Sequence, residues 1–159
     1  MKFALNGAVT IGTLDGANVE ILEEVGRDNI FIFGLNAADV AALKTGTYNP
    51  QEYIERSSLL KKVLRLIETD FFCQSAPGLY RPLFNELVTR DEYCLAADFD
   101  AYIAAQDIAE NAYRDKARWT RMSILNVARS GKFSSDRTIL EYARGIWGVE
   151  PLEVRPEQT

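Results

Sequence analysis

"AVTIGTLDGANVEILEEVGRDNIFIFG", residues 8–34, decides how the fold is read. Its two ends, "AVTIGT" and "NIFIFG", are short β-branched or aromatic runs bounded by glycine or asparagine, the pattern of strands. Between them "GANVEILEEVG" places apolar residues at Val19, Ile21, Leu22 and Val25. That is a helical spacing, and Gly26 closes it where a helix needs a residue free to turn. The order is therefore strand, helix, strand. A connection of this length is a crossover, so the two strands are expected to be parallel, and the nearly continuous apolar run Ile30–Phe33 predicts burial on both faces. The fold class is α/β, with this segment as an edge or half of a doubly wound sheet.

Beyond Gly34 the pattern is helical. "NAADVAALKTG" has Asn36 as N-cap and Gly46 as terminator, Pro50 suits a first helical turn, and "SLLKKVLRLIETDFF" repeats leucine, valine and isoleucine at helical intervals. Pro77 and Gly78 interrupt. Helices follow in "YRPLFNELVTR", "DFDAYIAAQDIAENAYRD" and "KARWTRMSILNVARSG". A last helix is expected to start after Ser134 or Ser135, with Asp136 in its first turn, and to run through "SDRTILEYARGIWG". Trp119, Met122 and Leu125 face Ile139, Tyr142, Ala143 and Ile146 at spacings that pair the last two helices, with Phe133 as a staple. Residues 1–34 thus read as strand–helix–strand, 35–150 as helical and 151–159 as a frayed tail. Two strands are few for a parallel sheet, which needs helices on both faces, so further strands are expected upstream of Met1.

Composition narrows the function. At 159 residues the chain has the length of one domain, and 47% hydrophobic with 26% charged residues is ordinary for a folded protein. A net charge of −5 leaves no excess of lysine and arginine to attract nucleic acid or an anionic membrane. Histidine is absent, so the usual base near neutral pH and the commonest metal ligand are missing. Cys73 and Cys94 have no CxxC spacing, which fits reduced thiols and argues against a metal site. No apolar run reaches the ~20 residues of a membrane span.

Two short stretches could carry chemistry, and each has a plainer reading. The turn "IGTLDGANVE" could hold an anion on backbone N–H groups at a helix start; equally, Asp15 could cap the helix while Gly16 permits the turn. "GKFSSDRT" resembles a phosphate-binding turn, yet capping by Ser134, Ser135 and Asp136 accounts for the same residues. Glu20, Glu23 and Glu24 read as a solvated helix face, and Trp119, Tyr142 and Trp147 as core or staple. By spacing alone, Lys2 is a surface lysine near a terminus.

The words of the sequence say more than its spacing. "MKFALNGAVTIGTLDGANVEI", followed by "NIFIFG", "GTYNPQEY", "WTRMSILNVARSGKFSSDRTI" and "EYARGIWGVEP", closely resembles the α-glucan phosphorylases, the glycogen, starch and maltodextrin phosphorylases, over essentially the whole chain. Met1–Asn6 match the end of that family's signature E-A-[SC]-G-x-[GS]-x-M-K-x-x-[LM]-N. The resemblance implies that Lys2 is the lysine that bonds covalently to pyridoxal 5′-phosphate. It implies a Rossmann-like glucosyltransferase domain, of which this would be the C-terminal segment. It also implies a homodimeric, cytoplasmic enzyme of glycogen metabolism.

In that family a terminal α-1,4-glucosidic bond of glycogen or another α-glucan is cleaved by inorganic phosphate to α-glucose 1-phosphate. The cofactor's phosphate group relays the proton; with a second pKa of about 6 it can do so near neutral pH, where a chain without histidine has no other ready group. The rest of the signature and the substrate-holding basic residues would precede Met1. No catalytic residue is therefore expected here, Lys2 being cofactor-binding only; no metal is expected, and the chain by itself is expected to be inactive and to hold no cofactor stably. The alternative is a non-catalytic interaction or regulatory module that keeps the same fold. Apolar surface around "FALNGAVTI" and "NIFIFG" is expected to drive self-association.

Overall fold

The computed structural model describes residues 1–150 and Leu152; all of the predicted tail except Leu152 lies outside the described residues. β1 (Ile11–Gly12) and β2 (Phe31–Ile32) pair in parallel, Ile11 opposite Phe31 and Gly12 opposite Ile32. The Phe31 N–H donates to the Thr10 carbonyl at 2.9 Å and the Phe33 N–H to the Gly12 carbonyl at 3.1 Å. A short helix, α1 (Lys2–Leu5), precedes β1, and α2 (Ala17–Val25) with a 3₁₀ turn at Arg27–Asn29 connects the strands. The remaining helices are α3 (Ala37–Thr45), α4 (Pro50–Arg56), α5 (Ser58–Glu68), α6 (Arg81–Thr89), α7 (Leu95–Arg114), α8 (Lys116–Ala128) and α9 (Ser135–Tyr142). A 3₁₀ turn at Ser130–Phe133 leads into α9, and a π turn at Ala143–Trp147 follows it.

Alternation along β2 distributes its side chains to two cores. Phe31 packs with Ala109 and Ala112 of α7 and Met122 of α8, joined by Ile11 and Trp119. Ile30 and Ile32 face the other way, onto Ile21 and Val25 of α2 and Phe133. The small sheet is therefore covered on both faces, as its apolar run predicts. Alanines at 105, 109 and 112, all buried, leave room on α7 for close neighbours. A third core, built on Ile54, Leu60 and Leu64 with Phe84, Leu87 and Phe99 against it, holds α4 to α7 together.

Local chemistry sets several boundaries. Asn36 and Asp39 form a reciprocal capping box at α3, and Pro50 starts α4 behind the Asn49 cap. At α2, Gly26 closes the helix with φ +81°.

The expected pairing of the last two helices is corrected. Ile139, Tyr142 and Ile146 are exposed, and Phe133 packs on Ile21, Val25 and Ile30. The 3₁₀ turn at Ser130–Phe133 redirects the chain, so the apolar stripe of α9 turns away from the Trp119–Met122 face of α8. Tyr142 and Trp147 touch each other at 5.9 Å between ring centroids yet stay exposed, so they are not core; Trp119, stacked on Phe31 and edge-on to Tyr113, is.

Candidate functional site

Lys2 opens α1, a helix of four residues, too short to persist by its own hydrogen bonds. Several contacts hold it. The Asn6 side chain donates to the Lys2 carbonyl at 2.8 Å. Backbone N–H groups of Leu5, Asn6, Gly7 and Ala8 donate to the carbonyls of Met1, Phe3, Ala4 and Phe3 at 2.9–3.0 Å. Ala4 is buried as α1 packs on α8, while Phe3, 81% exposed, and Leu5 point outward. Gly7 then turns the chain with φ +83°, and its carbonyl accepts the Ser123 hydroxyl at 2.7 Å.

The Lys2 side chain is exposed, and among the described residues it enters none of the ion pairs. The Lys2 amine is thus accessible, on a turn anchored from behind by Ser123. Among the described residues no group of three or more Cys, Asp or Glu side chains is placed to hold a metal.

Of the two loops with a capping reading, the one before α2 departs from it, while α9 begins at Ser135, directly after Ser134, with Asp136 in its first turn. At α2 the N-cap is Gly16 (φ +47°), and Asp15 provides no side-chain cap. The turn is braced by Asn18, whose side-chain amide donates to the Thr13 carbonyl at 2.9 Å and lies against Gly12, where a Cβ would come within 2.4 Å of it. At α9, Ser134 occupies the N-cap position without a side-chain hydrogen bond; its carbonyl accepts the Thr138 hydroxyl at 3.1 Å and Arg137 Nε donates to the Lys132 carbonyl at 2.6 Å. Lys132 itself pairs with Glu24 at 2.9 Å, and that hydrogen bond and charge push the ammonium's pKa up. Arg129 donates to the Glu24 carbonyl at 2.6 Å, so this basic loop clasps α2. Glu24 belongs to that clasp, whereas Glu20 and Glu23 remain on the solvated face.

One polar cluster escaped sequence reasoning. Asp91, 2% exposed, accepts the Tyr48 hydroxyl at 2.7 Å and the backbone N–H groups of Leu95 and Ala96 at 2.9 and 2.7 Å. It thereby caps α7 from outside the helix and ties it to the loop between α3 and α4. Burial, then the Asp91 hydrogen bond, push the Tyr48 phenol far above its ordinary pKa. Burial, followed by the Asp91 charge, also raises the thiol of Cys94. Asp98 accepts the Leu35 N–H at 2.8 Å; burial raises its carboxyl, the Leu35 bond opposes this, and Asp91 adds to the rise. Asp91 and Asp98 both border a cavity of about 860 Å³ at the carboxyl ends of β1 and β2, walled by Gly12, Phe33, Leu64 and Phe99. Such a crevice is the usual ligand position in an open α/β sheet. Lys2 does not line it.

The carbohydrate phosphorylase family model matches residues 1–149. The chain is 50% identical over 157 residues to a glycogen phosphorylase of Synechocystis sp., a match covering 99% of this chain and 18% of that relative. It is 49% identical over 155 residues to the muscle-form glycogen phosphorylases of Mus musculus and Homo sapiens, covering 98% of this chain and 18% of each relative. The chain thus spans 18% of the length of these relatives.

Proposed function

The chain belongs to the carbohydrate phosphorylase family, and on that premise we propose that its 159 residues do the work of the matching segment of an α-glucan phosphorylase, with Lys2 as the residue that holds pyridoxal 5′-phosphate. The observation that carries this reading is the 50% identity to a glycogen phosphorylase over 157 residues. The exposed amine of Lys2 supports it. The whole enzyme would cleave terminal α-1,4-glucosidic bonds of glycogen or a related glucan with inorganic phosphate, giving α-glucose 1-phosphate, as a cytoplasmic homodimer.

When bound, the cofactor supplies a phosphate group able to exchange a proton with inorganic phosphate near neutral pH. This chain's residues supply anchorage and orientation. Lys2 offers the amine; Asn6 fixes the Lys2 carbonyl; Ser123 and Gly7 fasten the turn to α8. Residues 1–159 act as one partial domain, the strand–helix–strand of 1–34 braced by the helices of 35–150. The chain spans 18% of the length of its relatives, so the 159 residues alone are expected to be inactive. Of the two stretches expected to drive self-association, "NIFIFG" has Ile30 and Phe31 buried, so exposed Phe3 and Leu5 of "FALNGAVTI" promote it; a strictly monomeric species by light scattering at high concentration contradicts that.

The experiment is a chimera in which these residues replace the matching segment of the Synechocystis relative. It is expected to release glucose 1-phosphate from glycogen and phosphate, and its Lys2→Ala variant is expected not to. A folded chimera without activity, or one whose activity survives Lys2→Ala, overturns the reading.

A further inference from the structure

We infer that Ser123 of α8 is the positioning residue for the lysine turn, setting the direction of Lys2 through the Gly7 carbonyl; this rests on Lys2 being the cofactor lysine. α1 has four residues and no side-chain N-cap, so its own helical propensity does not hold it. What it has is a short relay. The Ser123 hydroxyl donates to the Gly7 carbonyl at 2.7 Å across 116 positions of sequence. Gly7 and Ala8 N–H groups donate back to the Ala4 and Phe3 carbonyls at 3.0 Å, and the Asn6 amide donates to the Lys2 carbonyl at 2.8 Å. A constraint on the Gly7 carbonyl is therefore a constraint on the plane of the Lys2 carbonyl, hence on the Cα–Cβ direction from which the amine projects.

The far end of the relay is rigid. Met122 and Asn126, on either side of Ser123, are the two most deeply buried residues of α8, and the Asn126 amide donates to the Asn29 carbonyl at 2.8 Å. The fit at the near end is tight as well. A Cβ on residue 7 would lie 2.6 Å from the Ser123 hydroxyl oxygen, and Gly7 has φ +83°, so only glycine gives both the turn and the approach. Ser123 touches neither substrate nor cofactor in this account, and it acts only through Gly7.

The test compares Ser123→Ala, Ser123→Thr and the unaltered protein by two readouts. In the 159-residue chain, amide hydrogen exchange at Leu5, Asn6, Gly7 and Ala8 is expected to quicken about fivefold in Ser123→Ala, the factor that loss of one ordinary hydrogen bond gives. Exchange at Met122 and Asn126 is expected to stay unchanged, and Ser123→Thr, which keeps the hydroxyl, to stay near the original rates. In the chimera, the rate of pyridoxal phosphate loss, followed by absorbance, is expected to rise about as much in Ser123→Ala and to be rescued by threonine. Unchanged exchange at residues 5–8 overturns the proposal. So does faster exchange with an unaltered rate of cofactor loss, since Ser123 would then be only structural. Cofactor found on a different lysine instead refutes the assignment of Lys2, whatever the exchange rates show.

Discussion

Replacing Asp91 by alanine tests whether one buried carboxylate joins α7 to the loop before α4. Asp91 is 2% exposed and holds three donors: the Tyr48 hydroxyl and the Leu95 and Ala96 N–H groups. The two backbone bonds cap α7 and are worth about 1–2 kcal/mol together, by the cost of losing a cap. Stranding the half-buried Tyr48 hydroxyl adds about 1–3 kcal/mol. The backbone raises the stakes, because φ is +39° at Asp91 and +55° at Cys94, conformations costing of order 1 kcal/mol each that the three bonds offset. Asp91→Ala is therefore expected to lose about 2–5 kcal/mol, a large part of the 5–15 kcal/mol typical of a domain. Urea unfolding reads this as a fall in midpoint of roughly 2 M at a typical slope. Tyr48→Phe alone is expected to cost about 1–2 kcal/mol, and much less when Asp91 is already alanine. A loss below about 1 kcal/mol for Asp91→Ala, or an equal cost of Tyr48→Phe in both backgrounds, shows that Asp91 does not join these elements.

Gly34 and Gly16 both have positive φ, but a Cβ at Gly34 would sit 2.6 Å from the Asp98 carboxylate and one at Gly16 would meet nothing within 4 Å. Gly34→Ala is expected to destabilise by about 1–2 kcal/mol more than Gly16→Ala in the same urea assay. Because the carboxyl of Asp98 is raised in the folded state, the protein binds more protons than its unfolded chain at that site. Its contribution is present below the unfolded pKa of about 3.9 and lost as pH rises through the folded value. Asp98→Asn, which keeps an acceptor for the Leu35 N–H, is therefore expected to gain stability relative to the parent as pH rises from about 4 to 7, and a difference that shrinks over that range is the contrary result. Finally, the 159-residue chain incubated with pyridoxal phosphate and dialysed is expected to show no cofactor absorbance; a band that persists and vanishes in Lys2→Ala shows a working pocket instead.

Elements decided by neighbours in sequence were legible, and those decided across the fold were not. The spacing of Val19, Ile21, Leu22 and Val25 up to Gly26, flanked by β-rich runs, gives the strand–helix–strand because each signal acts within one turn or one strand. The same holds for Asn36 and Asp39 at α3. By contrast, the turn after α1 is fastened to α8 by the Ser123 hydroxyl, 116 positions from Gly7, and no local pattern announces that bond. Asp15 looked like a cap because its residue type suits one, but Gly16 itself takes the cap position with φ +47° while Asn18 braces the turn. Tyr48, Asp91 and Asp98 meet only through tertiary packing, and "TRDEYC" carries no sign of a buried carboxylate beyond an aspartate just ahead of a helix. The apolar stripe of α9 is visible in sequence, but its partner is not, since the turn at Ser130–Phe133 sends Phe133 to α2. Lys2 became a candidate through the words around it, which no rule of periodicity supplies.

The most direct test of Lys2 as the cofactor lysine is a peptide map of the chimera, loaded with pyridoxal phosphate, reduced with borohydride and digested. One reduced cofactor adduct per subunit is expected, on the peptide containing Lys2 and absent from the Lys2→Ala variant. An adduct on Lys44, Lys62, Lys132 or any lysine other than Lys2 contradicts it.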